Sequence, residues 1–251
     1  MTGISSPDDL RNAYASTRTA QEYHDHRFRS PLGEILHHKQ VELLRELIRQ
    51  VRPTSILEIA CGPARLTAAL DPYGAFAVAV DASEGMLAEA SNRLRCAELY
   101  GAWHLVRADA FALPLDRKFD LIYTFRFIRH FRQPDRQRIY AALVGHLAPN
   151  GLVAFDAVNR QAVGPPSLKR GSGDLLVFDE YYDRRRLICE LAEAGLQVSR
   201  LVPVHPVFRL QTQVQNLIGP HMPGVARRIV RGLERCGGSV PAEWIVVCRS
   251  K

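Results

Sequence analysis

The sequence predicts an α/β fold in which a mostly parallel sheet is covered by helices on both faces. Three observations predict it. Short apolar runs alternate with helical patterns from about residue 34 onward. The runs SILEIA, AFAVAV and LIYTF are nearly continuous in apolar residues, as strands buried on both faces are, and do not alternate in polarity. Most of the intervals between runs have the length of a helical crossover, which parallel pairing requires.

The elements follow in order. Leu44, Leu47, Ile48 and Val51 recur at helical spacing, and Pro53 ends that helix. SILEIA is the first strand, and a helix is expected over residues 63–70. AFAVAVDA is the second strand, with Ser83 as N-cap of a helix whose Met86, Ala90 and Leu94 share a face. HLVRADA is the third strand and FDLIYTF the fourth. Pro134 opens a helix carrying Ile139, Leu143 and Leu147 on one side, and Asn150-Gly151 is expected to turn the chain into a fifth strand, GLVAFDAVN. A Gly/Pro-rich loop, GPPSLKRGSG, leads to a helix with Leu187 and Leu191 that Gly195 ends. QVSRLVPV and AEWIVVCRS are the last two strands.

The chain reads as one domain. Residues 34–206 form the core and residues 241–251 the last strand. Two segments fall outside the alternation: an aromatic, His- and Arg-rich leader at 1–33, and an insertion at 207–240 with Val225, Ile229 and Leu233 on one helical face. Both are candidate lids. The five cysteines are odd in number, widely spaced and without a CxxC pair, which argues against a disulfide framework and a zinc site. The absence of an 18-residue apolar run and of a basic-then-apolar leader points to a soluble, cytoplasmic protein. The net charge of +7 raises the question of an anionic partner. Its arginines are spread along the chain and few aromatics interleave with them, so nucleic acid is the less favoured partner.

In an open parallel sheet, ligands sit beyond the carboxyl ends of the strands. The first strand ends in Glu58-Ile59-Ala60-Cys61-Gly62-Pro63-Ala64. Gly62 permits close backbone approach, and Ala60 and Ala64 serve beside it if their φ is negative. Asp81 ends the second strand, where a carboxylate can accept from two vicinal ribose hydroxyls. Asp109-Ala110-Phe111 ends the third, with an acceptor for an exocyclic amine and a ring to cover a base. A dinucleotide loop, G-x-G-x-x-G, would need a third glycine where Arg65 stands, which excludes that reading.

Taken together, ILEIACGPARL, VAVDASEGMLAEA, VRADAFALPLDRKFDLIYT and LAPNGLVAFDAVN resemble the class I S-adenosylmethionine-dependent methyltransferases of the small-molecule type, over roughly residues 54 to 160. The resemblance implies a Rossmann-like, seven-stranded sheet whose last strand is antiparallel. It implies S-adenosyl-L-methionine as cofactor and S-adenosyl-L-homocysteine as product. By the same resemblance Glu58 would organise the first loop, and Ala60, Cys61 and Gly62 would line the methionine moiety. Asp81 would hold the ribose, Ala82 and Met86 would lie against the adenine, and Asp109, Ala110 and Phe111 would read and flank it. Thr124 and Arg126 would border the methyl group. The first loop departs from the family in having fewer glycines.

Methyl transfer to a hydroxyl needs an acceptor held in line and a base for its proton. His130, in FRFIRHF after the fourth strand, is the first candidate base; a capping or packing role is its alternative. His24 and His26 are weaker candidates. Tyr14 and Tyr23 resemble leader tyrosines that close over the site, and Arg27 or Arg126 is placed to pair with the cofactor carboxylate. TFRF stands where amino-methylating DNA enzymes carry Asn/Asp-Pro-Pro-Tyr/Phe, and no cysteine follows a proline. A small-molecule acceptor, methylated at oxygen or nitrogen, is therefore the first expectation. An RNA methyltransferase and a non-catalytic, methyltransferase-like interaction protein are the alternatives. No metal is expected.

Overall fold

A computed structural model describes residues 30–163, 168–170, 176–238 and 240–251. The first helix, α1 (Pro31–Val51), is capped by Ser30, whose Oγ accepts from the Gly33 N–H at 3.1 Å. It ends where Arg52 turns left-handed and donates its N–H to the Ile48 carbonyl. Strand β1 (Ser55–Ile59) is buried throughout. Asp120 fixes its start, accepting from the backbone of Thr54 and Ser55 at 2.8 and 3.1 Å.

Then come β2 (Phe76–Asp81), α2 (Glu84–Cys96), β3 (Trp103–Arg107), β4 (Phe119–Thr124), α3 (Gln133–His146) and β5 (Leu147–Val158). A short helix, α4 (Arg160–Val163), precedes a two-stranded ribbon of β6 (Leu168–Arg170) and β7 (Leu176–Phe178). The chain closes with α5 (Arg184–Glu193), β8 (Leu196–Val204), α6 (Phe208–Ile218), α7 (Pro223–Leu233) and β9 (Glu243–Ser250).

The main sheet has seven strands in the order β3-β2-β1-β4-β5-β9-β8. Strands β1 to β5 pair in parallel, and β9 runs antiparallel to both β5 and β8. Period-two alternation splits the core. Leu57, Ile59, Val78 and Val80 face α3 and α5 through Ile139, Leu143, Leu187 and Leu191. Ile56, Ala77, Ala79 and Leu121 face α1 and α2 through Leu44, Leu47, Ala90 and Leu94. The strand order reverses between β1 and β4, the place where such sheets open a crevice at their carboxyl edge.

Several sequence expectations are corrected. No α-helix spans residues 63–70; turns and one 3₁₀ turn, Thr67–Ala69, stand there. Ala64 has φ +56°, which no right-handed helix can include, and too few residues remain before Leu70 is extended. Strand β3 stops at Arg107 and not at Ala110, because Asp109 Oδ1 accepts from the Phe111 N–H at 3.0 Å and bends the chain. Asn150-Gly151 is not a turn before β5. Leu147 already pairs with Phe119, so it belongs to the strand and not to the preceding helix. Asn150 (φ +64°) and Gly151 instead form an irregularity that shifts the register. A side chain at Gly151 would meet Leu147, the Ala148 carbonyl and the Phe119 carbonyl at 2.8 to 3.0 Å. Part of the expected Gly/Pro-rich loop is the β6–β7 ribbon. On α7, which carries Val225, Ile229 and Leu233 on one face as expected, the buried residues are Ala226 and Val230, while Val225 and Ile229 are exposed.

Candidate active site

One cavity opens at the carboxyl edge of β1, β2, β3 and β4, with about 1080 Å³ of space counting its solvent-open mouth. That is the size class of a small-molecule cleft. Eleven of the twelve residues assigned to the cofactor by resemblance line it: Glu58, Ala60, Cys61, Gly62, Asp81, Ala82, Met86, Asp109, Ala110, Phe111 and Arg126. His130 lines it as well. Thr124 does not. It is wholly buried at the end of β4, and its Oγ1 has no hydrogen-bond partner among the described residues. Tyr14, Tyr23, Arg27, His24 and His26 lie outside the described residues.

The first loop has the backbone of a glycine-rich loop written partly in alanine. Ala60, Gly62 and Ala64 have φ of +54°, +54° and +56°, so the expectation of negative φ at the alanines is wrong. Each alanine is held left-handed at a cost of about 1 kcal/mol. The surroundings over-determine the path: Cys61 donates to the Val80 carbonyl at 3.0 Å, and Gly62 donates to Asp81 Oδ2 at 2.8 Å. Nothing lies within 4 Å of where a Gly62 Cβ would stand, so the space above it is open cavity. Arg65, read only as the residue that excludes a dinucleotide loop, ties the loop to α1. Its guanidinium meets His37 Nδ1 at 2.5 Å and Gln40 Oε1 at 2.6 Å.

Two carboxyls organise this half of the cavity. Asp81 accepts from Gly62 on one oxygen and from the Ser83 N–H at 2.9 Å on the other. Burial raises its pKa, against the pull of these backbone donors. Glu58 is fully enclosed, and burial pushes it up to about 7 although the Thr67 and Tyr123 hydroxyls donate to it at 2.5 and 3.0 Å. The opposite wall is apolar: Met86, Ala108 and Ala110, with Phe111 edge-on to Phe131 and Phe131 edge-on to Phe127.

The residue set fits a nucleoside sulfonium. Asp81 provides an acceptor at the strand end, Met86 and Phe111 give the cavity apolar lining suited to a flat ring, and the left-handed loop exposes backbone where a side chain would intrude.

In the other half of the cavity the sequence named His130 and Arg126 but not their partners. His130, in a 3₁₀ turn after β4, places Nδ1 3.0 Å from Asp179 Oδ1. Arg129 holds the same carboxylate through Nε at 2.9 Å and a second bond at 2.5 Å. Burial alone would raise Asp179, but the His130 bond and the Arg129 charge outweigh it and keep the carboxyl well below the usual range. Behind this group Arg136, fully buried, grips both oxygens of Glu190 at 2.7 Å and stands over the Tyr182 ring. Arg126 (φ +65°) donates its N–H to Asp156 Oδ1 at 2.6 Å, and its guanidinium lies 3.9 Å from Glu243. Burial raises the pKa of Glu243; Arg126 opposes that and Asp156 adds to it. FRFIRHF, with its histidine and aromatics, was the one stretch that pointed to this half. Nothing in the sequence pairs Asp179 with His130.

Residues 56–151 match the family model described as Methyltransferase domain. A ubiquinone biosynthesis O-methyltransferase from Methylococcus capsulatus is 30% identical over 141 residues, covering 55% of this chain and 59% of that protein. A malonyl-[acyl-carrier protein] O-methyltransferase from Pseudescherichia vulneris is 31% identical over 144 residues, covering 57% and 51%. The chain thus spans between half and three-fifths of the length of these two relatives. Among solved structures, the CcbJ methyltransferase from Streptomyces caelestis superposes with a TM-score of 0.67 at 14% identity, over 94% of this chain and 97% of that one. The magnesium protoporphyrin IX methyltransferase from Synechocystis PCC 6803 with bound S-adenosylmethionine gives 0.65 at 12% identity, over the whole of both chains. These likenesses establish the fold. Among the described residues no helix is long and apolar enough to cross a membrane. Through residues 56–151 the chain is similar to methyltransferase domains, and its fold is that of the class I S-adenosylmethionine-dependent methyltransferases.

Proposed function

We propose that this chain transfers a methyl group from S-adenosylmethionine to a hydroxyl of a small-molecule acceptor, with His130 as the base and Asp179 as the residue that positions it. The observation that carries the reading is the His130–Asp179 contact of 3.0 Å on the wall of the cavity whose other side holds Asp81 and the left-handed loop. The cofactor supplies an electrophilic methyl on a sulfonium. Asp81 holds its ribose hydroxyls, and Met86 and Phe111 orient the base. Phe127 and Phe131 exclude water beside the acceptor. A histidine that donates from Nδ1 to a carboxylate carries its lone pair on Nε2. There it takes the acceptor's proton as the new carbon–oxygen bond forms. Because Arg129 keeps Asp179 ionised, the carboxylate fixes the ring and does not compete for that proton.

Oxygen is favoured over nitrogen because both curated relatives described above carry O-methyltransferase names. The experiment is transfer of labelled methyl from S-adenosylmethionine to a panel of hydroxylated and carboxylated acceptors. Once an acceptor is found, His130→Ala should lower kcat by about 10²- to 10⁴-fold with unchanged affinity for the cofactor. Asp179→Asn should lower it less, through kcat and not KM. Wild-type turnover by His130→Ala would remove the base from this account.

A further inference from the structure

The insertion at 207–240 is not a wall of the cavity among the described residues. It is a helical hairpin, α6 and α7, laid on α1 by polar contacts. Leu32 donates its N–H to Gln215 at 3.1 Å, Lys39 pairs with Glu234 at 2.6 Å, and Arg227 pairs with Glu34 at 2.8 Å. Ala226 and Val230 make the buried side of α7. What remains outward is unusual for a helix pair. On α6, Leu210 and Leu217 are exposed at i and i+7, Leu217 to 73%, with Val214 half-buried between them. At the tip and along α7, Met222 (54% exposed), Val225 and Ile229 form a second outward apolar strip.

The charge on this hairpin has one sign. Residues 207–240 contain Arg209, Arg227, Arg228, Arg231 and Arg235, and their single acid is Glu234. Glu234 is buried and bonded to Lys39, His205 and Gln211, and these donors outweigh burial to hold it down to about 2. It therefore does not offset the outer arginines. A helix with an apolar strip beside arginines and no acid on its open side is built to lie in the interface of an anionic bilayer. The hairpin also follows directly from the end of β8, which runs parallel to β5. It therefore stands at the same carboxyl edge as the cavity.

We propose that this hairpin docks the protein on an anionic phospholipid surface. The tip and the Val225–Ile229 strip enter the acyl boundary, and Arg209, Arg228, Arg231 and Arg235 meet headgroup phosphates. The inference stands apart from methyl transfer, since no residue of the cavity takes part.

The test uses the full chain with phosphatidylcholine vesicles, with and without phosphatidylglycerol. Co-sedimentation is expected with the anionic vesicles at low salt, weaker by about tenfold or more with phosphatidylcholine alone and at high salt. The double variant Arg228→Glu/Arg231→Glu should lose at least about tenfold in partitioning, because each juxtamembrane charge changes it roughly fivefold. Both positions are exposed, so the fold should survive, as circular dichroism would verify. Ile229→Trp adds a reporter to two native tryptophans that are buried, and its emission should shift to the blue on the anionic vesicles. Three results would overturn the proposal: no binding by the wild-type chain, equal binding by the charge-reversed variant, or a blue shift that follows self-association or RNA addition and not vesicles.

Discussion

Around β1 and β2 many polar contacts of the site are short in sequence, although the Tyr123 hydroxyl reaches 65 residues back to Glu58, whereas around β4 and β5 the charged contacts are long. Ser83 and Phe111 donate to carboxylates two residues away, Thr67 to one nine away, and Gly62 to one 19 away. On the other side Arg126 reaches 30 residues to Asp156, Arg129 reaches 50 to Asp179, and Arg136 reaches 54 to Glu190. A strand, a turn and a capped helix build most of the first half, with Tyr123 of β4 and Gln40 of α1 bracing it from outside, so a contiguous stretch can encode much of it. The second half exists only when the segment after β5 folds back onto the turn after β4. The first half is assigned here to the cofactor and the second to the acceptor. An enzyme can then change its acceptor while leaving the local half intact.

The largest effect that sharpens this contrast is expected at Arg136. Replacing it with methionine keeps volume but leaves the Glu190 carboxylate buried and unpaired. Stability should fall by about 3–5 kcal/mol, read as a lower midpoint in urea. The double replacement Arg136→Met/Glu190→Leu should recover most of that loss, because both charges are then gone. If the single variant is as stable as wild type, the long-range half does not depend on this pair.

A smaller effect, set by pH, belongs to the local half. The Glu58 pKa rises from 4.5 to about 7 on folding. The folded state therefore holds a proton that the unfolded chain has released between these values, and stability falls as pH rises through that window. Glu58→Gln, whose amide oxygen can still accept from Thr67 and Tyr123, should remove the fall. It should gain about 1–3 kcal/mol over wild type on going from about pH 5 to about pH 8. Parallel curves for the two proteins would contradict the burial argument.

The smallest effect separates the two alanines. Ala60→Gly relieves a left-handed alanine at the cavity wall and should add up to about 1 kcal/mol, reduced by glycine's extra chain entropy. Ala64→Gly relieves the same strain but gives up a wholly buried methyl, worth about 0.8 kcal/mol, and should come out near neutral. Thermal midpoints of the two variants would show whether the loop path is as strained as its φ values indicate.

The same contrast explains what the sequence could show. The ends of β1 and β2 were legible because continuous apolar runs mark buried strands and Asp81 follows Glu58 at the spacing of a crossover; Asp109 was named, but in a turn beyond the end of β3. Ser83 was legible as a cap because its role depends on three residues. The left-handed φ of Ala60 and Ala64 was not, since alanine gives no sign of it; the distant backbone of Val80 and the Asp81 carboxylate impose it. Asp179 could not be found because its partner Arg129 lies 50 residues back in the sequence, with His130 beside it. Which side of α7 is covered was not legible for a related reason. Its apolar arc is wider than the strip that packing uses, and periodicity does not say which part of the arc is covered.

The measurement that tests the division most directly is calorimetric titration of three proteins, wild type, Asp81→Ala and His130→Ala, with S-adenosylmethionine and S-adenosylhomocysteine. The account predicts micromolar binding of both compounds by wild type and by His130→Ala. It predicts a loss of at least about 100-fold in Asp81→Ala, which removes the carboxylate that accepts from the Gly62 N–H and is proposed to hold the ribose. No binding by the folded wild-type chain, or undiminished binding by Asp81→Ala, would contradict it.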